Sequence, residues 1–174
     1  MWRNIIAEKT NFIEKMTGTA RDRIDLLLLA ELQRAARQTN AELAERVHLS
    51  PSACLRRVQR LERAGVIAGY RAEVDPETLG LGLQAFVRVQ LKSHDAARIA
   101  VFAEQVNGWA EIVACHALTG DMDYLLHVVV RDLEHFSRFL LDKLLAQAEV
   151  ADVNTSFVLR TVKRAQALPL AGDT

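Results

Sequence analysis

Four arginines crowd one short stretch of this 174-residue chain, Arg56, Arg57, Arg60 and Arg63, and Arg71 follows shortly after. A guanidinium is a planar fork of N–H donors that grips guanine edges or phosphate oxygens two bonds at a time, as an ammonium cannot. Ser50 and Ser52 precede these arginines, Gln59 lies among them, and all three add neutral hydrogen-bonding groups. Between residues 50 and 71 the only acid is Glu62, against five arginines. The chain as a whole balances 22 Lys plus Arg against 22 Asp plus Glu. The excess is therefore a local patch and not a general basicity. Its chemistry is that of a surface that meets a polyanion.

A patch needs a scaffold. Ser50 is placed to cap a helix, Pro51 suits its first turn, and Gly65 suits its end. At 100° per residue Cys54, Val58 and Leu61 fall on one side, with Leu55 flanking them. Ser52, Arg56, Gln59, Arg60 and Arg63 fall opposite, with Arg57 at the edge. Arg56 and Arg60 are expected to reach bases or phosphates, and Arg57 or Arg63 the DNA backbone. Ser52 and the free N–H groups of the first turn are expected to meet a phosphate. Upstream, Asp22 or Asp25 caps a helix carrying Ile24, Leu27, Leu28, Ala30, Leu32 and Ala35. Thr39 or Asn40 starts a second, short helix from Ala41 to Val47. Downstream, Val66 to Val74 is expected to form a hairpin turning near Gly69, with Arg71 on this wing. Three short helices and a hairpin within about 55 residues are the pattern of a winged helix-turn-helix.

Beyond the connector Asp75 to Gly80 the texture changes from helical periodicity to strand alternation. Strands are expected over Gln84–Leu91, Ala110–Leu118, Tyr124–Val130 and Val153–Leu159. Helices are expected over Ala96–Val106 and from an Asp132 cap, with Leu133, Phe136, Leu140 and Leu144 inward. The order βαββαβ is that of a ferredoxin-like unit, whose sheet is covered by helices on one face only. Large apolar groups on the other face invite a partner subunit, so a homo-oligomer is expected. The fold class is thus α+β: an N-terminal winged helix-turn-helix, then a ferredoxin-like (βαββαβ) dimerisation domain. The expected organisation is a leader over residues 1–20, either without essential role or an added helix that packs on a partner subunit, then a DNA-binding domain over 21–74 and a linker over 75–82. A ferredoxin-like domain over 83–165 and a tail over 166–174 complete it.

A second set of residues sits at a turn between two of these strands: Thr119, Gly120, Asp121, Asp123 and Tyr124. Gly120 permits a tight turn and a close backbone approach. Asp121 and Asp123 are able to receive an ammonium group, and exposed amides a carboxylate. The same residues also make sense as a plain turn that fixes the sheet. Other chemistries find little support. The only cysteines, Cys54 and Cys115, form no CxxC pair, so neither a disulfide framework nor a thiolate metal site is expected. The five histidines are scattered without HExxH spacing, and there is no glycine-rich phosphate loop or nucleophile elbow. No enzyme, metal or cofactor is expected. No apolar run reaches the roughly 18 residues of a membrane helix, and a reducing cytoplasm is the expected compartment.

Taken together, four stretches make the chain resemble the Lrp/AsnC family of transcriptional regulators. They are Ile24-Asp-Leu-Leu-Leu-Leu-Ala-Glu-Leu-Gln, the run from Asn40 to Tyr70, Leu118-Thr-Gly-Asp-Met-Asp-Tyr-Leu-Leu, and Thr155-Ser-Phe-Val-Leu-Arg-Thr-Val-Lys followed by Leu168-Pro-Leu. The resemblance implies dimers joined through the ferredoxin-like domain and assembled into tetramers or octamers. It implies an amino-acid effector bound near Thr119–Tyr124, which makes the ferredoxin-like domain an effector domain as well, and double-stranded DNA read by the helix from Pro51. Genes of amino-acid transport or metabolism are the implied targets. The leader of about 20 residues departs from the family pattern, in which the first helix sits near the start. The rival reading is an effector-binding or assembly protein without specific DNA binding. The arginine-faced helix argues against it.

Overall fold

The computed structural model describes residues 22–164 and 167–170. The leader at residues 1–20 lies outside the described residues. The chain divides into two compact units, one running to Glu73 and resuming at Arg164, the other spanning Val74–Lys163.

The first unit is built from three helices, each started by an oxygen-bearing side chain. Asp22 caps α1 (Arg23–Arg34) by accepting the Asp25 N–H at 2.9 Å. Thr39 caps α2 (Asn40–Arg46) in a reciprocal box with Glu42. Ser50 caps α3 (Pro51–Arg63), accepting the Ala53 N–H at 3.3 Å. The turn between α2 and α3 passes through His48 at φ 54°. The core between the helices is small: Leu28, Leu43, Ala44, Val47 and Cys54 are buried, with Ile24, Leu32, Leu49 and Val58 packed on them. Burial pushes the Cys54 thiol up, as suits a small core residue.

The hairpin expected over Val66–Val74 does not form. Val66 and Ile67 donate back to the Leu61 carbonyl at 2.9 and 3.3 Å, ending α3, and the chain then runs on without ladder pairing. Tyr70 and Val74 are half exposed. An isolated two-stranded arm with no apolar face to pack is only marginally stable in water. One tether remains: the Tyr70 hydroxyl donates to Glu62 at 2.9 Å. Partial burial and that carboxylate push its pKa up to about 12.

The second unit starts with a short 3₁₀ turn (Glu77–Leu79) and then follows the order β1 (Leu83–Leu91), α4 (Ala96–Gly108), β2 (Ile112–Ala117), β3 (Tyr124–Val130), α5 (Leu133–Arg138) and β4 (Val150–Phe157). The sheet order is β2-β3-β1-β4, antiparallel throughout, as the ferredoxin-like pattern requires. Alternation along β1 sends Ala85, Val87, Val89 and Leu91 into the core and leaves Phe86, Arg88 and Gln90 outside. Leu126, Val128 and Val130 of β3 join them beneath Phe102 and Val106 of α4. After α5 the helix widens into a π turn (Phe139–Leu144), closed by the Leu145 N–H on the Leu140 carbonyl. The inward set is Phe136, Phe139 and Leu144 with Leu140 packed on them, while Leu133, expected inside, is the first residue of α5 and is exposed. The last strand begins three residues earlier than expected and stops at Phe157. The helix-free face of the sheet carries Phe86 stacked on His127 at 4.8 Å, and Arg88 bonded to Asn154 at 2.7 Å.

Candidate nucleic-acid interface and ligand loop

α3 has one buried side and one wet side. Cys54 and Leu61 are buried, Val58 is half buried, and Ser52, Arg56, Gln59, Arg60 and Arg63 lie exposed. The helix start gathers hydroxyl groups and uncapped amides. Ser50 and Ser52 hydroxyls lie 3.3 Å apart, and Asn40 reaches across to hold the Pro51 carbonyl at 2.8 Å. Ser50 already spends its oxygen on the cap, so Ser52 and the remaining first-turn amides are the polar groups left open at the helix start.

The arginines are not equivalent. Arg57 and Arg60 do not project as free cations, contrary to the wheel drawn from sequence. Arg57 Nη1 donates to Asp22 Oδ2 at 2.7 Å and to Asp25 Oδ1 at 2.9 Å, and Arg60 Nη2 donates to Asp25 Oδ2 at 2.5 Å. Asp25 is 1% exposed, the one buried charged residue among those described. The Asp25 amide and the Arg57 guanidinium hold the Asp22 carboxyl below the usual carboxylate range. Arg57 is correspondingly held above its ordinary value by Asp22 and Asp25. Arg56 and Arg63 have no carboxylate within ion-pair distance among the described residues. Arg71 is exposed on the unpaired segment after α3.

Sequence reasoning considered Asp25 only as a cap and missed the buried role. The signal was present. Asp25, Leu28 and Leu32 recur at helical spacing, so an acid sits on the apolar stripe of α1, and a buried acid demands a cation. A second missed feature is a side-chain clamp on the returning chain. The Gln33 amide donates to the Leu168 carbonyl at 3.3 Å and accepts the Leu168 N–H at 2.6 Å. Leu168 and Leu170 border a groove of about 570 Å³ whose other walls are α1 and residues 65–71.

In the second unit the expected ligand loop splits in the same way. Thr119, Gly120 and Asp121 are exposed, and Gly120 takes φ 117°, which favours glycine. Asp123 is committed to the fold. Its Oδ2 accepts the Leu91 N–H at 2.8 Å, its Oδ1 lies 2.7 Å from His94 Nε2, and its own N–H donates to the Val89 carbonyl at 2.9 Å. Tyr124 packs on Phe102, ring centres 5.1 Å apart, and burial raises its hydroxyl pKa. Of the five expected residues, the structure leaves three open and ties two to the sheet.

A capped helix with a polar outer face, in a small trihelical unit, joined in sequence to a ferredoxin-like unit, defines a DNA-binding transcriptional regulator with a separate ligand domain. Residues 21–68 match a winged helix-turn-helix DNA-binding model and residues 84–168 the Lrp/AsnC ligand binding domain. The chain belongs to the Lrp/AsnC family. It is 42% identical to a leucine-responsive regulatory protein of Rhizobium meliloti, over 83% of this chain and 92% of that one. It is 40% identical to that of Escherichia coli K12, over 89% and 94%. Among solved structures it superposes on a Neisseria meningitidis transcriptional regulator crystallised with L-methionine, at TM-score 0.83 and 45% identity, over 87% of this chain and 98% of that one. These relatives are regulators, not enzymes. No helix among the described residues is long and apolar enough to cross a membrane.

Proposed function

We propose that this chain is a homo-oligomeric, amino-acid-responsive regulator of genes for amino-acid metabolism or transport, acting in the cytoplasm on double-stranded DNA. The observation that carries the DNA part is the exposed face of α3, with Ser52, Arg56, Gln59 and Arg63 above the buried Cys54 and Leu61. A dimer presents two such helices to a pseudo-palindromic site. The apolar side chains of the helix-free sheet face, Phe86 with Leu125 and Val129, support assembly through that face. The assembly is a dimer, or a tetramer or octamer built from dimers.

The effector reading rests on the match to a ligand-binding domain and on the relative solved with L-methionine. The loop chemistry agrees with it. The exposed amides around Gly120 suit a carboxylate, and Asp121 suits an ammonium. Asp123 and Tyr124 serve as the rigid floor under them.

Genomic DNA pull-down with sequencing, run with and without the twenty amino acids, tests both parts. Focused sites whose occupancy changes with the mixture are the expected result, and single drop-outs then name the effector. Focused sites indifferent to the mixture remove the sensing part. No enrichment at moderate salt removes the DNA part and leaves an effector-binding assembly protein.

A further inference from the structure

We propose that Asp25 is the positioning residue of the DNA-reading helix: it makes Arg57 and Arg60 a brace between α1 and α3 and leaves Arg56 and Arg63 as the cations α3 delivers to DNA. The proposal rests on α3 being the reader. Each Asp25 oxygen takes one arginine, and Asp22 takes the second bond of Arg57. Two carboxylates and two guanidiniums sum to zero charge, so the cluster has no net pull on a phosphate. The excess of positive charge counted along residues 50–71 is halved once Asp22 and Asp25 are included.

The geometry makes the arrangement hard to undo. A carboxylate that water does not reach needs its cations. Moving Arg60 to a phosphate leaves one Asp25 oxygen without a partner, and moving Arg57 strips Asp22 as well. Arg56 and Arg63 give up nothing of the kind. They lie seven residues apart, two turns along one side of α3, with Ser52 and Gln59 between and beside them. Arg57 and Arg60 occupy the neighbouring stripe, which faces α1. The same brace fixes how α3 sits on α1, and so which way Arg56 and Arg63 point.

The test is the salt dependence of binding to a mixed-sequence DNA duplex, measured on the full chain. Each phosphate that a variant no longer neutralises lowers the slope of log affinity against log salt by about 0.9. Arg56→Gln and Arg63→Gln are expected to lower the slope by that amount per helix bound, and Arg57→Gln and Arg60→Gln to leave it unchanged. Asp25→Asn is expected to steepen the slope, because it frees Arg60 while Arg57 stays on Asp22, and to flatten the preference among genomic sites. An Arg60→Gln slope as shallow as that of Arg56→Gln overturns the proposal. Should Asp25→Asn not fold, the paired variant Asp25→Asn with Arg60→Gln keeps the charge balanced and leaves Arg57 on Asp22; it is expected to keep the slope of the unaltered chain, and a slope as shallow as that of Arg56→Gln overturns the proposal. The brace also has a readout without DNA: NMR exchange of the Arg57 and Arg60 guanidinium protons. Slow exchange supports it. Fast exchange in the unaltered chain overturns it, whereas absent DNA binding with slow exchange faults only the reading of α3.

Discussion

The two units are held together by different physics. The ferredoxin-like unit buries thirteen apolar residues in one contiguous core, from Ala85 on β1 to Val150 on β4. The helical unit has five in its core cluster, and one of those is an alanine. It supplements this small core with directed polar bonds: the Asp25 brace, three side-chain caps, and the Gln33 clamp on Leu168. Small units bury too little surface to rely on apolar packing alone. Directional bonds also fix orientation, which a reading helix needs more than a sheet does. The sheet unit is therefore expected to be sensitive to removal of volume, and the helical unit to removal of charge.

The largest expected effect comes from emptying the larger core. Phe102 is 1% exposed and packs on the aromatic ring of Tyr124 at the start of β3. Phe102→Ala is expected to destabilise the sheet unit by about 3–5 kcal/mol, the usual range for a buried phenylalanine. Denaturant melts followed at Trp109, which packs against this core, measure it. The counterpart is Asp25→Ala in the helical unit. A fully buried pair broken on one side costs about 3–5 kcal/mol. Here the stranded arginines are partly exposed, 26% for Arg57 and 44% for Arg60, and can turn to water. A loss of about 2 kcal/mol is expected. It should appear in amide exchange across α1 and α3 and leave β1 and β3 untouched. Equal losses in both units would end the comparison.

Acid separates the units by window. On the sheet, burial lowers the pKa of His127 from its ordinary value near 6.5. The unfolded chain therefore takes up that proton first as pH falls. Its contribution is complete above about pH 6.5 and declines below it, toward the depressed folded value. In the helical unit Asp22 and Glu42 are held below their ordinary values, Asp22 chiefly by the Asp25 amide and Glu42 chiefly by the Thr39 amide. Their contribution is complete above the unfolded range near pH 4 and is lost as pH falls through the lowered folded values. Two-dimensional NMR across a pH series is expected to show sheet resonances weakening before those of α1 and α2. His127→Gln should remove the earlier phase alone.

Most of the architecture was legible because local signals agreed with one another. Ser50-Pro51 at one end and Gly65 at the other frame α3 within a residue, and the strand expected over Gln84–Leu91 is β1 to within a residue. What escaped was pairing between residues far apart in sequence. Arg57 and Asp25 are 32 positions apart, Arg60 and Asp25 are 35, and Gln33 and Leu168 are 135. A helical wheel sees only its own helix, so it counted as free two arginines that another helix had claimed. The hairpin failed for a related reason. Val66–Val74 has strand-like residues, but strands need a surface to pack on, and periodicity cannot say whether one is there. Leu133 was misplaced because it is the first residue of its helix, where the period continues but the core beneath it does not.

The smallest effect bears on why a unit with so little core keeps a strained residue in its middle. His48 occupies the left-handed region at φ 54°, in the turn that sets α3 against α2. That conformation costs an ordinary side chain about 1–2 kcal/mol. Glycine avoids it but loses more backbone entropy on folding, by roughly 0.5–1 kcal/mol. His48→Gly is therefore expected to stabilise the helical unit by about 0.5–1 kcal/mol, raising its melting temperature by a few degrees. The side chain is exposed and lies two residues before the Ser50 cap, so nothing in the core of this unit requires an imidazole there. Affinity for a mixed-sequence duplex is measured on the same samples. A higher melting temperature with unchanged affinity makes His48 a tolerated cost of the turn. A higher melting temperature with weaker binding places His48 beside Ser52 and Arg56 on the DNA face, and extends the charge-dependent side of the helical unit by one residue.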